Sequence, residues 1–331
     1  MANNVIFMDG AELNSGLAWD TFGLSIVAVQ SGMSGSYCFD GGAAGYAQQH
    51  FSPAEDELWF SFRYRPKDAN AINIWSLWDS AGTCILGLYR NITSQLIELR
   101  RGVVTAQLIL TGTTLMLTGH TYLFQIHVKP LNSGGIVQVK LDNNADFEFD
   151  YTGDSTGGLE EISAMRFGRT AGSEVSNCYW DDIIVDNGAW IGNKRIAPVL
   201  VPTGVGYQAA QWTPSTGANW QCVDEFPPVD TDYCYTNTPN AFDWFTLSNI
   251  TGTISFIFAV GLFGRITYEG SPTPPGVKLA IRTNNTNYTG ATFGAGSLFG
   301  PILSIWMKNP YTTANFTEAE INALEIGYSA Q

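Results

Sequence analysis

The sequence predicts an all-β fold, two tandem β-sandwiches of jelly-roll type closed by one short helix. Three observations carry that reading. Charged residues make up only 14% of 331 residues, against about 25% in an average soluble domain. Their place is taken by 10 Trp, 14 Tyr, 19 Phe and 35 Gly, together with Ser, Thr and Asn. Aromatic and β-branched residues suit a pleated, half-buried surface, and Gly, Asn and Ser suit turns. Second, apolar residues alternate with polar ones in short runs, the period of a strand with one buried face. Third, turn signals separate these runs at roughly ten-residue spacing.

Each element follows from its own residues. In Leu58-Trp-Phe-Ser-Phe-Arg-Tyr64 the alternation puts Leu58, Phe60, Phe62 and Tyr64 on one face and Trp59, Ser61 and Arg63 on the other. Tyr122 to Val128 repeats the pattern, with Gln125 and His127 outward. Further strands are expected near 72–78, 84–90, 94–100, 103–110, 135–141, 146–151 and 179–185. Asp79-Ser-Ala-Gly82, Thr118-Gly119-His120, Asn132-Ser-Gly-Gly135 and Asp142-Asn-Asn144 supply turns between them. Near 188–204 the texture changes, and Pro198 and Pro202 favour an extended connector. The expected domains are therefore 1–190 and 191–331. Beyond the connector, strands are expected at 242–247, 252–260, 277–282 and 302–306, with a proline-rich loop at 270–276. Thr317-Glu-Ala-Glu320 reads as a capping box opening a helix of two to three turns, with Ile321 and Leu324 inward and Gly327 at its end.

The charge balance excludes whole classes of function. Sixteen Lys and Arg against 30 Asp and Glu give a net charge of −14, which opposes phosphate backbones and anionic bilayers, so neither nucleic-acid binding nor membrane insertion is expected. No apolar run reaches the ~20 residues of a spanning helix. The start, MANNVIFMDG, carries no basic and apolar leader pattern, so synthesis in the cytoplasm is expected. Cys38, Cys84, Cys178, Cys222 and Cys234 are widely spaced and odd in number, and read as reduced thiols.

Four groups of residues invite a chemical reading. Asp146, Glu148 and Asp150 share one face if 146–151 is a strand, at a separation compatible with the paired carboxylates of glycosidases; the alternative is a charged, solvated edge. Three scattered histidines, His50, His120 and His127, make neither a triad nor a catalytic metal site. Asp142, Asp154, Asp181 and Asp182 lie in oxygen-rich segments where calcium would be held, or where ordinary Asx turns would form. No other cofactor is expected. Trp59, Arg63, Trp75 and Trp78 are the candidates for stacking on and hydrogen-bonding to a sugar, the alternative being that these tryptophans belong to the core.

Val137-Gln-Val-Lys-Leu-Asp142, Phe147-Glu-Phe149, Gly153-Asp-Ser-Thr156, Met165-Arg-Phe-Gly168 and Tyr179-Trp-Asp-Asp-Ile-Ile-Val185 together resemble the closing strands of concanavalin-A-like or laminin-G-like jelly rolls in bacteriophage virion proteins. Ile191-Gly-Asn-Lys-Arg195, Asn219-Trp-Gln-Cys-Val-Asp-Glu225, Asp243-Trp-Phe-Thr-Leu247 and Phe316 to Gly327 are similar to the module that follows such domains. The resemblance implies a non-enzymatic protein on the exterior of the virion, a tail fibre or tail tip that attaches to host glycan. It also implies other virion proteins as partners and homo-oligomeric assembly, with many copies supplying avidity. A capsid decoration or head fibre is the alternative placement, and a glycan-degrading enzyme a further one.

Overall fold

A computed structural model describes residues 4–42, 45–158, 160–170, 176–196, 199–208, 211–225, 227–252, 254–270 and 276–331. Pro198 of the expected connector and residues 271–275 of the expected proline-rich loop lie outside the described residues. The chain forms two compact units, Met1–Glu12 with Trp19–Ala197, and Leu13–Ala18 with Pro198–Gln331. The fold is all-β, a tandem of β-sandwiches.

The first unit stacks two antiparallel sheets. One runs, in order across the sheet, Phe149–Gly153, Gly135–Leu141, Tyr122–Lys129, Leu58–Pro66, Cys178–Asp186, Tyr37–Asp40 and Ser25–Ala28, and Val5–Asp9 also pairs with Cys178–Asp186. The other runs Gln107–Leu115, Leu96–Arg101, Cys84–Arg90, Asn73–Trp78, Ile162–Gly168, Tyr46–Glu55 and Thr21–Phe22. The alternation read from 58–64 and 122–128 sets which face turns inward. Phe62 stacks on its cross-strand partner Phe124 at 5.2 Å and meets Phe167 of the opposite sheet edge-on at 5.0 Å. Phe60 meets Trp75 across the same gap at 4.8 Å. Such aromatic pairs add about 0.5–1.5 kcal/mol each beyond their buried area, which explains how a chain poor in charge and rich in rings closes its core. The end of this core is tied by Arg90, whose buried guanidinium donates to the Met116 carbonyl (2.8 Å), the Ala69 carbonyl (2.9 Å) and the Gln95 side-chain oxygen (3.0 Å).

The second unit has a five-stranded sheet, Pro202–Val205, Phe242–Leu247, Glu325–Ala330, Gly276–Thr283 and Thr286–Gly294. Val260–Ile266 pairs with Gly300–Trp306, and Thr213–Pro214 with Cys234–Tyr235. Ile281, Phe316, Ile321 and Leu324 form the core, with Val260, Leu262 and Trp306 packed against it. Two expectations need correction. Among the described residues of the run 252–260, pairing begins only at Val260, and Ile257 instead reaches the core from irregular chain, because apolar residues need burial and not necessarily a ladder. The helix is also short, Glu318–Asn322, although its capping box forms as read, with Glu320 N–H donating to the Thr317 hydroxyl. Gly327 does not end it. Gly327 sits in the middle strand of the sheet, where a Cβ would collide with the Asp243 carbonyl and lie 3.0 Å from the Trp244 ring.

Candidate functional site

The expected sugar-stacking residues are buried, and the sheet they stand on explains why. Trp59 is 5% exposed and Trp75 1%; Arg63 and Trp78 are buried as well. Trp75 faces the inter-sheet core. Trp59 and Arg63 do face outward, but residues 190–196, expected to lead away as a connector, fold back across that face. Ser61 donates to the Gly192 carbonyl (3.2 Å), Arg63 Nη2 to Asn193 Oδ1 (2.6 Å), and Ile196 N–H to Asp182 Oδ1 (2.8 Å). Trp78 lies on the outer side of the second sheet beneath the Arg166 guanidinium, 3.6 Å from its ring centre, while the same guanidinium covers Tyr46 at 4.2 Å. These four side chains therefore do not form an open platform.

The acidic candidates are dispersed over the unit. Asp142 and Asn143 both take positive φ, 52° and 62°, in the turn that follows Leu141, at the open end of the hairpin formed by Tyr122–Lys129 and Gly135–Leu141. The Asp142 carboxylate accepts from Leu123 N–H at 2.8 Å. Asp154 accepts from Gly157 N–H (2.8 Å) and pairs with Arg101 (3.0 Å), and its carboxyl is held below the usual range first by that Gly157 donor. Asp182 is buried with φ 51° at a bulge and pairs with Arg63 at 2.9 Å. Burial, then the neighbouring Asp182, push Asp181 up to about 8. Among the described residues, no three His, Cys, Asp or Glu side chains come together in a metal-holding group.

Asp146, Glu148 and Asp150 part company. The strand begins only at Phe149, so the alternation that would align the three carboxylates is missing over 146–148. Glu148 instead turns toward the edge strand Gln107–Leu115. Its Oε1 accepts from the Thr113 and Thr114 N–H groups, and its Oε2 from both threonine hydroxyls. Asp150 accepts from Gln138 Nε2 at 2.9 Å. The Gln138 amide oxygen therefore faces His127 Nδ1 at 3.0 Å, while His127 Nε2 meets Glu57 at 2.7 Å. This polar row crosses three strands in register and ends on Trp59, which stacks on His127 at 4.5 Å and 2°.

A hollow lies next to two of these acids, Asp146 and Glu148. It has a volume of about 360 Å³ and is lined by Thr113, Thr114, Leu141, Asn144, Ala145, Asp146, Phe147 and Glu148. Phe147, 37% exposed, stands at its rim. The Lys140 ammonium sits 4.7 Å from the Phe147 ring centre and 5.3 Å from that of Trp190, and the two rings are 6.1 Å apart. Of the lining and rim, sequence reasoning singled out only Asp146 and Glu148 for chemistry. Phe147 was hidden by the expected strand, and the missing signal was its place three residues beyond the Asp142-Asn-Asn144 turn. Trp190 and Lys140 offer no local pattern at all, since only the returning chain brings them together.

The two sheets of the first unit define an antiparallel β-sandwich. Solved structures with related shape include the fourth domain of a GH43 extracellular arabinanase from Geobacillus stearothermophilus in complex with arabinotriose (12% identity, 57% of this chain and 95% of that one, TM-score 0.42). The globular domain of T. cruzi calreticulin (12%, 56% and 89%, 0.37) and a native heptameric pentraxin from Limulus polyphemus (14%, 49% and 74%, 0.33) are also similar. These likenesses are too distant to carry a site across. No protein-family model matches the sequence, and no curated protein matches it.

Proposed function

We propose that the protein is a non-catalytic carbohydrate-binding β-sandwich, and that the hollow beside Phe147 is its saccharide site. The observation that carries this is the joining of the exposed Phe147, flanked by the partly buried Trp190 and Lys140, to a hollow lined by Thr113, Thr114, Asn144 and Asp146. A sugar presents an apolar C–H face and a ring of hydroxyls, so an aromatic edge beside mixed donors and acceptors matches both. Glu148 supports a binding role over a hydrolytic one. Both its oxygens are taken by donors of the edge strand, which holds it as a structural acceptor.

The setting inferred from the sequence motifs is the exterior of a phage particle, as a tail fibre or tail tip that meets host glycan, with capsid decoration as the second placement. Titration of the whole chain against a panel of bacterial surface oligosaccharides tests the site. Phe147→Ala is expected to weaken binding at least tenfold with the melting temperature unchanged. Binding that survives both Phe147→Ala and Asn144→Ala, or no binding to any polysaccharide at millimolar concentration, overturns the reading. Localisation of the protein in particle reconstructions decides between tail and head.

A further inference from the structure

The second unit brings two of the five cysteines to one short segment. Thr213–Pro214 pairs with Cys234–Tyr235, so Cys234 stands opposite Pro214. Ser215 N–H extends that pairing by donating to the Tyr233 carbonyl at 2.8 Å. On the same segment, Cys222 Sγ donates to the Thr216 carbonyl at 3.0 Å and lies 4.0 Å from Ser215 Oγ. Cys222 ends a single turn of 3-10 helix, Asn219–Cys222, and Cys234 Sγ donates at 3.4 Å to the carbonyl of Asn219, which opens that turn. Residues three apart eclipse in such a turn, so Cys234 is aimed at the column that carries Cys222. The two thiols come within hydrogen-bonding reach of each other.

Side-chain bonds fix the turn in place. Asn219 Nδ2 donates to the Trp212 carbonyl at 2.7 Å and to the Asp243 carboxylate, and Gln221 Oε1 accepts from Ala218 N–H at 2.9 Å. The other cysteines stand on three separate strands of the first unit, each bonded to a main-chain carbonyl: Cys38 to Ala28, Cys84 to Leu86 and Cys178 to Asn73. Between Cys222 and Cys234, residues 223–233 carry Asp224, Glu225, Asp230 and Asp232 and no Lys or Arg.

We propose that Cys222 and Cys234 are a disulfide-forming pair, oxidised by a small-molecule disulfide, and that their bond closes residues 223–233 into a covalent loop. Cys234 is half-buried and Cys222 only 2% exposed, so the small disulfide reaches Cys234 first. The Cys234 thiolate attacks one sulfur, the S–S bond of the reagent breaks, and the first small thiolate leaves with the electron pair. The Cys222 thiolate then attacks Cys234 Sγ in the mixed disulfide and expels the second small thiolate. The two protons given up by the cysteines end on the two small thiols, so the protein loses two electrons and the reagent gains them. Burial raises Cys234 to about 12, so supply of thiolate limits the rate, which should rise about tenfold per pH unit from pH 7 toward pH 9.

Cystamine is a suitable probe, because its positive charges favour approach to the acidic stretch. The whole reduced protein is incubated with cystamine at about pH 9, quenched by alkylation, and mapped without reduction. The expected product joins the Cys222 and Cys234 peptides, while Cys38, Cys84 and Cys178 are alkylated once the chain is unfolded. The oxidised protein should melt several degrees above the reduced one, since the cross-link restricts the unfolded chain, and a reductant should reverse the shift. Cys222→Ser is expected to stop at the mixed disulfide on Cys234. A wild-type chain whose Cys222 and Cys234 both remain alkylatable at equilibrium overturns the proposal. So does a cystamine adduct that persists on wild-type Cys234, or a link from either residue to a cysteine of the first unit.

Discussion

Glu148 shows how one side chain can look catalytic in a sequence and be structural in space. An edge strand leaves backbone N–H groups without a ladder partner, and each such donor deprived of both water and acceptor costs about 1–3 kcal/mol. Glu148 satisfies two of them and two hydroxyls with one carboxylate. Glu148→Ala is therefore expected to destabilise the first unit by about 1–3 kcal/mol. Glu148→Gln should cost less, since the amide oxygen still accepts from both N–H groups. Thermal unfolding of the three proteins checks this order, and equal melting of Glu148→Ala and wild type would remove the role. The same scale explains why tryptophan was a poor guide to a surface: Trp59 faces outward yet is covered by His127, and alternation reports the side of a sheet, not what later chain lays over it.

Among the elements, the strands were legible where one face is buried by the partner sheet. Leu58–Pro66 and Tyr122–Lys129 are found within two residues of their read positions, because Phe60, Phe62, Phe124 and Ile126 all enter one core. The strands Thr286–Gly294 and Glu325–Ala330 were not legible. The first is polar and Gly-broken, and the second follows a capping box whose helical signal overrides it. Gly327 is informative here, since it permits close approach to Phe242–Leu247 in place of capping a helix. Gly327→Ala is expected to lower the stability of the second unit by more than 3 kcal/mol, the range of a steric fault in a buried sheet. A variant with unchanged denaturant midpoint would contradict the packing described.

At the scale of the whole molecule, the deficit of charge is matched by carboxylates held inside. Burial pushes Asp9 up to about 7, against its bonds from Ala11 N–H (2.9 Å) and Trp19 Nε1–H (2.9 Å), and Asp181 up to about 8. Both groups keep a proton in the folded state that the unfolded chain releases near pH 4. The stability they confer is complete below about pH 4 and is lost as pH rises through 7 to 8. Raising pH from 4 to 8 should thus destabilise wild type relative to Asp9→Asn, as read from melting temperatures across that range. A constant difference would place Asp9 in a solvated environment. Burial likewise raises the thiols of Cys38 and Cys234 to about 12 and leaves them poor nucleophiles near neutral pH.

The returning segment 190–196 also changes how the chain can be divided. A fragment ending at residue 190, where composition alone drew the border, would lose the Asn193 partner of Arg63 and the Ile196 partner of Asp182. It would keep every strand of the first unit and yet expose a charged pair that the intact chain keeps dry. A dissection of the two halves therefore belongs after Ile196, since the border that respects strands differs from the one that respects solvation.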